Sequence, residues 1–279
     1  MSTVLITGAS GFIGRALVQS MAHDYTVIAL SRKPIDLAGV IAIAGDFAEP
    51  DELHKLDNYQ IDRLIHLAAV TGGCREEDGL RVNVAGTHHL LRYLIERGCR
   101  KFVLASSIAA VGFQSVKFRP LQLPMPDEHP CLDRDGYGLS KYLMEEMTRY
   151  LARQNEEIDI INLRLASIIP DDRQPTPRAA GPINAWALGS ITLMYLSDTV
   201  RCLTMAAEAP LKPGLRILNA TGAQACVADS VPALLRAWYG ADADQIDFSH
   251  YERPGHERDA VYDIARIKAE LGFVPERGF

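Results

Sequence analysis

The feature that most constrains this chain is Thr7-Gly8-Ala9-Ser10-Gly11-Phe12-Ile13-Gly14, which follows a short apolar run at Val4–Ile6. A strand that ends in such a glycine-rich turn and opens a helix reads as the first βα unit of a doubly wound parallel sheet. Gly8 permits the tight turn, Gly11 lets the backbone approach a pyrophosphate, and Gly14 lets the helix pack closely on the sheet. Ser10, Phe12 and Ile13 complete the same turn, whose free N–H groups and positive helix end suit phosphates. Dinucleotide binding is favoured over a purely structural turn because the glycines sit between a first strand and a first helix.

The rest of the first half continues the alternation. Val27–Leu30, Val40–Ala44, Leu64–Leu67, Phe102–Ala105 and Asp159–Leu165 read as strands, and Gly14–Met21, Val82–Arg97 and Tyr137–Arg153 as helices. Strands alternating with helices imply an α/β fold with a parallel, Rossmann-type sheet. Residues 170–182 are crowded with proline, glycine and charge and read as loop. The expected division is a dinucleotide-binding domain over 1–168, and over 169–279 a small substrate-binding lobe interleaved with the last sheet elements.

Composition narrows the partners. Of the 279 residues 48% are hydrophobic, enough for a sizeable core. The net charge of −6 is spread without a basic block, which argues against nucleic acid and against an anionic membrane surface. Cys74, Cys99, Cys131, Cys202 and Cys226 are scattered without metal-ligand spacing, as expected of buried thiols in a reducing cytoplasm. No leader-like segment opens the sequence and no apolar stretch approaches the ~20 residues that span a bilayer, so a cytoplasmic protein is expected.

The second strand ends at Ser31-Arg32-Lys33. Binding NAD usually requires an acid here for the ribose 2′-hydroxyl, whereas an arginine can pair with a 2′-phosphate in a forked contact. Ser31 and Arg32 thus favour NADP over NAD, with a solvated surface arginine as the alternative. Asp46-Phe47, after the third strand, is a candidate flank for the adenine, unless Asp46 is a helix N-cap.

Tyr137-Gly138-Leu139-Ser140-Lys141 sets a tyrosine and a lysine four residues apart on one face of a helix. A neighbouring ammonium favours the phenolate, so the pair is expected to act as an acid/base with a lowered tyrosine pKa. Ser106-Ser107 follow the strand Phe102–Ala105, where parallel strands deliver residues to the ligand crevice. A hydroxyl there can hold a substrate oxygen while Tyr137 exchanges its proton, or it can simply cap a turn.

Together TGASGFIG, the HLAA of His66–Ala69, Asn83 in NVAGT, the Ser107 strand end and YGLSK resemble the extended short-chain dehydrogenase/reductases, in their NAD(P)-dependent epimerase/dehydratase branch. The resemblance implies Tyr137 as acid/base, Lys141 as the group that binds the nicotinamide ribose and tunes Tyr137, and Ser107 as the group that orients the substrate oxygen. It places Leu67, Ala68, Ala69 and Asn83 beside the dinucleotide, Asn83 supporting the structure or a proton relay. It also implies a homodimer through the two long helices, with Leu90, Leu94, Leu143 and Met147 on their exposed faces. Arg253-Pro254-Gly255-His256, Asp263 and Glu270–Pro275 resemble the C-terminal part of nucleotide-sugar enzymes, where the arginine often lies near the substrate. Two departures weigh against a nucleotide sugar. Ala166-Ser167 stand where such epimerases commonly carry an asparagine, and the segment from Ile169 to Leu193 is short for clasping a nucleoside diphosphate.

Other residues read as structure. His88-His89 suit a helix face, His66 a packed core position, Asp171-Asp172 a solvated loop, and Trp186 and Tyr195 either core or pocket lining. No metal site is expected. Three functions compete: a net NADP(H)-linked reductase or dehydrogenase of a small hydroxy or keto compound, a sugar or nucleotide-sugar epimerase/dehydratase that retains its dinucleotide, and a non-catalytic dinucleotide sensor. Arg32 and the short lobe favour the first, the RPGH segment favours the second, and an intact Ser107, Tyr137 and Lys141 weigh against the third.

Overall fold

The computed structural model describes residues 1–279 except Pro34 and Ala185. Its strands are β1 Thr3–Thr7, β2 Thr26–Ser31, β3 Val40–Ala44, β4 Arg63–His66, β5 Lys101–Ser107, β6 Asp159–Leu165, β7 Ser167–Ile169, β8 Leu193–Tyr195 and β9 Gly214–Ala220. Its helices are α1 Phe12–Met21, α2 Pro50–Leu53, α3 Glu76–Asp78, α4 Thr87–Glu96, α5 Gly136–Gln154, α6 Ala187–Ile191, α7 Leu196–Glu208, α8 Val231–Tyr239 and α9 Ala265–Leu271. Seven strands form one parallel sheet in the order β3-β2-β1-β4-β5-β6-β9, and β7 and β8 form a small parallel pair. Strand order reverses between β1 and β4, so a crevice opens at the carboxyl ends of these strands.

The strands read as continuous apolar runs because both faces of the sheet are covered. Successive side chains alternate between the faces. Val4 and Ile6 join a core with Leu17, Ile161 and Leu203, and Leu5 joins one with Leu91, Phe102 and Met144. A third cluster, with Phe113, Trp238, Tyr251 and Tyr262, joins residues between Ile108 and Met125 to residues between Ala187 and Tyr262. Residue 168 divides the chain in sequence rather than in space, since α7 packs on α1 and β9 completes the large sheet.

Three expectations need correction. The helix expected over Val82–Arg97 begins earlier, as a π-helical stretch Gly79–Gly86 that leads into α4. Leu90 and Leu94 are fully buried against the sheet and offer no outer face, so the apolar groups left on α5 are Leu143, Met147, Tyr142 and Tyr150. Of the cysteines, Cys74 and Cys131 are only half-buried. Among the described residues no helix is long and apolar enough to cross a membrane.

Candidate active site

The glycine turn joins β1 to α1 at the switch in strand order. Gly8 adopts φ +68°, and a Cβ there would lie 2.7 Å from the Ala68 nitrogen, so the turn packs directly on the loop after β4. A Cβ on Gly14 would meet the Gly8 carbonyl at 2.2 Å. Gly11 is the N-cap of α1, no side chain caps that end, and its first turn carries no acid. Ser10, Gly11, Phe12 and Ile13 are exposed or half-buried around it. This cradle, with open N–H groups at a positive helix end, fits a dinucleotide pyrophosphate.

At the tip of β2, the Ser31 hydroxyl turns inward and donates to the Lys33 carbonyl at 2.5 Å. Arg32 projects into solvent. Asp46 accepts the Ala48 N–H at 3.0 Å and closes a turn ahead of α2, whose N-cap is Glu49, so it is not the helix cap that the sequence left open. Phe47 is buried edge-on against His66 at 4.7 Å, so its ring faces the interior. His66 is a core residue, bonded to the Thr7 and Thr87 hydroxyls at 2.7 and 2.9 Å, and burial pushes its pKa down to about 3.

Asn83 lies in the π-helical stretch. Its amide nitrogen donates to the Val70 carbonyl and to the Ser140 hydroxyl, and its amide oxygen accepts the Val70 N–H, each at 2.9 Å. The side chain is thereby committed to tying the loop after β4 to α5, and it presents no free donor to a dinucleotide. Leu67, Ala68 and Ala69 begin the loop that this contact holds.

Three consecutive residues at the end of β5 each grip a different turn of α5. The Lys141 ammonium donates to the Ala105 carbonyl at 2.7 Å. The Ser106 hydroxyl donates to Glu145 at 2.6 Å. The Ser107 hydroxyl lies near enough to the Tyr137 phenol to favour its ionised form, and it accepts the Ala109 N–H at 3.1 Å. The two serines are therefore not equivalent, because only Ser107 faces the phenol. Asp135 starts the helix by capping the Tyr137 and Gly138 N–H groups at 2.9 and 3.0 Å.

The electrostatics differ from the simple expectation. Burial pushes the Tyr137 phenol up to about 12, and the opposing contact is Ser107 rather than Lys141. Burial pushes Lys141 down to about 8, against the carboxylate of Glu145, and its ammonium lies 5.8 Å from the Tyr137 ring centre. Glu145 is fully buried and is held by Arg164 through bonds of 2.9 and 2.7 Å. The sequence reading passed over Glu145, although it stands four residues after Lys141 on the same face. It also passed over the placement of Cys74, close enough to Tyr137 and Lys141 to bear on both their ionisations.

Elsewhere, Tyr195 is buried and stacked on Phe279, and Asp171 is not merely solvated but paired with Arg277 at 2.7 Å. Arg253 is spent on His250, approaching its Nδ1 at 2.7 Å. His250, His256 and Asp259 cluster within 4.8 Å, yet a His250 Nδ1 that accepts from Arg253 leaves Nε2 protonated and donating to Asp259. That arrangement is a closed hydrogen-bond network and not a set of free lone pairs for a metal.

A sequence model of the NAD dependent epimerase/dehydratase family matches residues 4–219, which includes every residue of the β5–α5 constellation. The chain belongs to this family. UDP-glucose 4-epimerase 4 of Oryza sativa subsp. japonica is 31% identical over 183 residues, 58% of this chain and 48% of that protein. This epimerase/dehydratase-family chain thus spans about half the length of the epimerases it matches. D-erythronate dehydrogenase of Cupriavidus necator is 27% identical over 319 aligned positions, covering 99% of this chain and 95% of that protein. A short-chain dehydrogenase/reductase superfamily protein from Agrobacterium tumefaciens, solved with bound NAD, superposes with a TM-score of 0.73 at 20% identity, over 99% of this chain and 93% of that one. The last likeness is one of fold.

Proposed function

We propose that this protein transfers a hydride between NADP(H) and the secondary alcohol or ketone carbon of a small hydroxy acid, as a net dehydrogenase or reductase. The observation that carries this reading is the meeting of Ser107, Tyr137 and Lys141 where β5 faces α5, at the same end of the sheet as the glycine cradle. In the oxidation direction the substrate hydroxyl gives its proton to Tyr137 Oη. Ser107 holds that oxygen in line, and Lys141 supplies positive charge behind the phenolate and a donor for a ribose hydroxyl. The bound dinucleotide supplies the hydride acceptor and, when oxidised, a further positive charge near Tyr137. The near full-length likeness to D-erythronate dehydrogenase and the short Ile169–Leu193 segment support a small acid as substrate.

The choice of NADP rests on Arg32, exposed at the tip of β2 where no acid stands. Charge-assisted hydrogen bonds contribute about 1.5–3 kcal/mol, or roughly ten- to a hundredfold in affinity. Wild type is expected to bind NADP(H) more tightly than NAD(H) by about that factor, and Ser31→Asp with Arg32→Ala to reverse the order. Titration of both dinucleotides into both proteins measures this. Equal affinities in the wild type would return the reading to an epimerase or dehydratase that retains NAD.

A further inference from the structure

Trp186 is an exposed aromatic in an unusual setting. It is 42% exposed, and it is the one non-glycine residue with positive φ among those described, at φ 67° and ψ 18°. Bulky side chains rarely adopt this left-handed conformation, and such outliers gather at ligand sites. The indole lies against the loop that follows β4. Its six-membered ring presses on Gly72, where a Cβ would lie 2.2 Å from Cη2, and it packs in a T-shaped pair with Phe113, ring centres 5.5 Å apart.

Each contact adjoins a group near the catalytic pair. Gly72 is two residues before Cys74, which bears on the ionisation of Tyr137 and Lys141. Phe113 belongs to the apolar cluster on which Tyr137 itself packs. The Trp186 backbone N–H donates to the Gln114 backbone carbonyl at 3.1 Å, so the two side chains spring from neighbouring points of the chain. Gln114 is 8% exposed, and its Nε2 has no partner among the described residues. A buried donor without an acceptor is a cost to the fold. It is explained if a bound molecule brings the acceptor.

We propose that Trp186 and Gln114 form the substrate-binding wall of the crevice opposite the dinucleotide. The indole covers the C–H face of a small polyhydroxy acid, and the Gln114 amide donates to one of its hydroxyl or carboxylate oxygens. The choice of ligand class rests on the function proposed above. On this proposal the Trp186–Gly72 contact narrows the site, which favours a small acid over a nucleotide sugar.

The chain has two tryptophans, and Trp238 is buried in the lobe, so Trp238→Phe leaves Trp186 as the sole indole reporter. With NADP⁺ present, D-erythronate and glucuronate should change its emission and shield it from acrylamide, and UDP-glucose should not. Emission and quenching unchanged by both acids, or altered only by UDP-glucose, would overturn the proposal. Gln114→Leu removes the unpaired donor at similar volume. It should leave thermal stability equal or higher, while the sugar-acid midpoint in the same titration rises about tenfold, the loss of one hydrogen bond. An unchanged midpoint removes Gln114 from the wall. Dinucleotide reduction at 340 nm, followed separately, tests the hydride-transfer reading itself. The acids altering Trp186 without any reduction would leave the wall standing and remove the reaction.

Discussion

Tyr137 is harder to ionise than its neighbourhood of charged groups suggests, because it is buried beside a lysine that burial also weakens as a cation. A raised phenol pKa means little phenolate near neutral pH, so the rate of alcohol oxidation should climb as pH rises. In the function proposed above, Lys141→Met removes the charge behind the phenolate of the loaded enzyme and should move that climb to higher pH, with weaker dinucleotide binding from loss of the proposed ribose contact. A pH–rate series on both proteins checks the displacement, and superimposable profiles would deny Lys141 its role. Tyr137→Phe should lower turnover by about 10²–10⁴-fold, the range typical of a lost proton-transfer group, with dinucleotide affinity nearly unchanged. Retention of most activity would exclude Tyr137 as the acid/base.

At the level of elements, the strand-turn-helix pattern at Val4–Met21 and the helix opening at Tyr137 were legible from sequence, because periodicity and glycine spacing are local signals. What joins elements was not. Nothing local announces that Asn83 binds Val70 and Ser140, or that Ser106 and Ser107 serve different partners, since these depend on strand order and on the π-helical stretch. The same limit hid the burial of Leu90 and Leu94, whose 3.6-residue spacing fits an inner face as well as an outer one. Asn83→Ala offers a direct test of the joint. It leaves the half-buried Val70 N–H and carbonyl without their Asn83 partner, a loss below the about 1–3 kcal/mol of a fully buried group. The melting temperature should fall and dinucleotide affinity should weaken severalfold as the loop after β4 loosens. Calorimetry and titration measure the two effects, and a variant like wild type in both would show that the joint carries no load.

Across the whole molecule, the sheet separates what stabilises from what reacts. At the amino ends of β5, β6 and β9, Asp159 is fully buried between Lys101 at 2.7 Å and Arg216 at 2.6 Å. Asp159→Ala would leave two cations buried without their shared partner, and breaking a buried pair typically costs about 3–5 kcal/mol. A lower melting temperature with near-normal activity at permissive temperature is expected from thermal denaturation and assay, and an unchanged melting temperature would refute the locking role. On the outer surface, Tyr142, Leu143, Met147 and Tyr150 of α5 are the groups through which we expect two copies to pair, and sedimentation at micromolar concentration should show a dimer. A monomer alone would count against it. The three grips between β5 and α5 have a historical consequence. They lie outside the segment after Ile169, so descendants of this chain are free to lengthen, shorten or rewrite that segment while Ser107, Tyr137 and Lys141, the groups to which we assign proton handling, keep their spacing. A lineage built this way changes its diet far more readily than its chemistry.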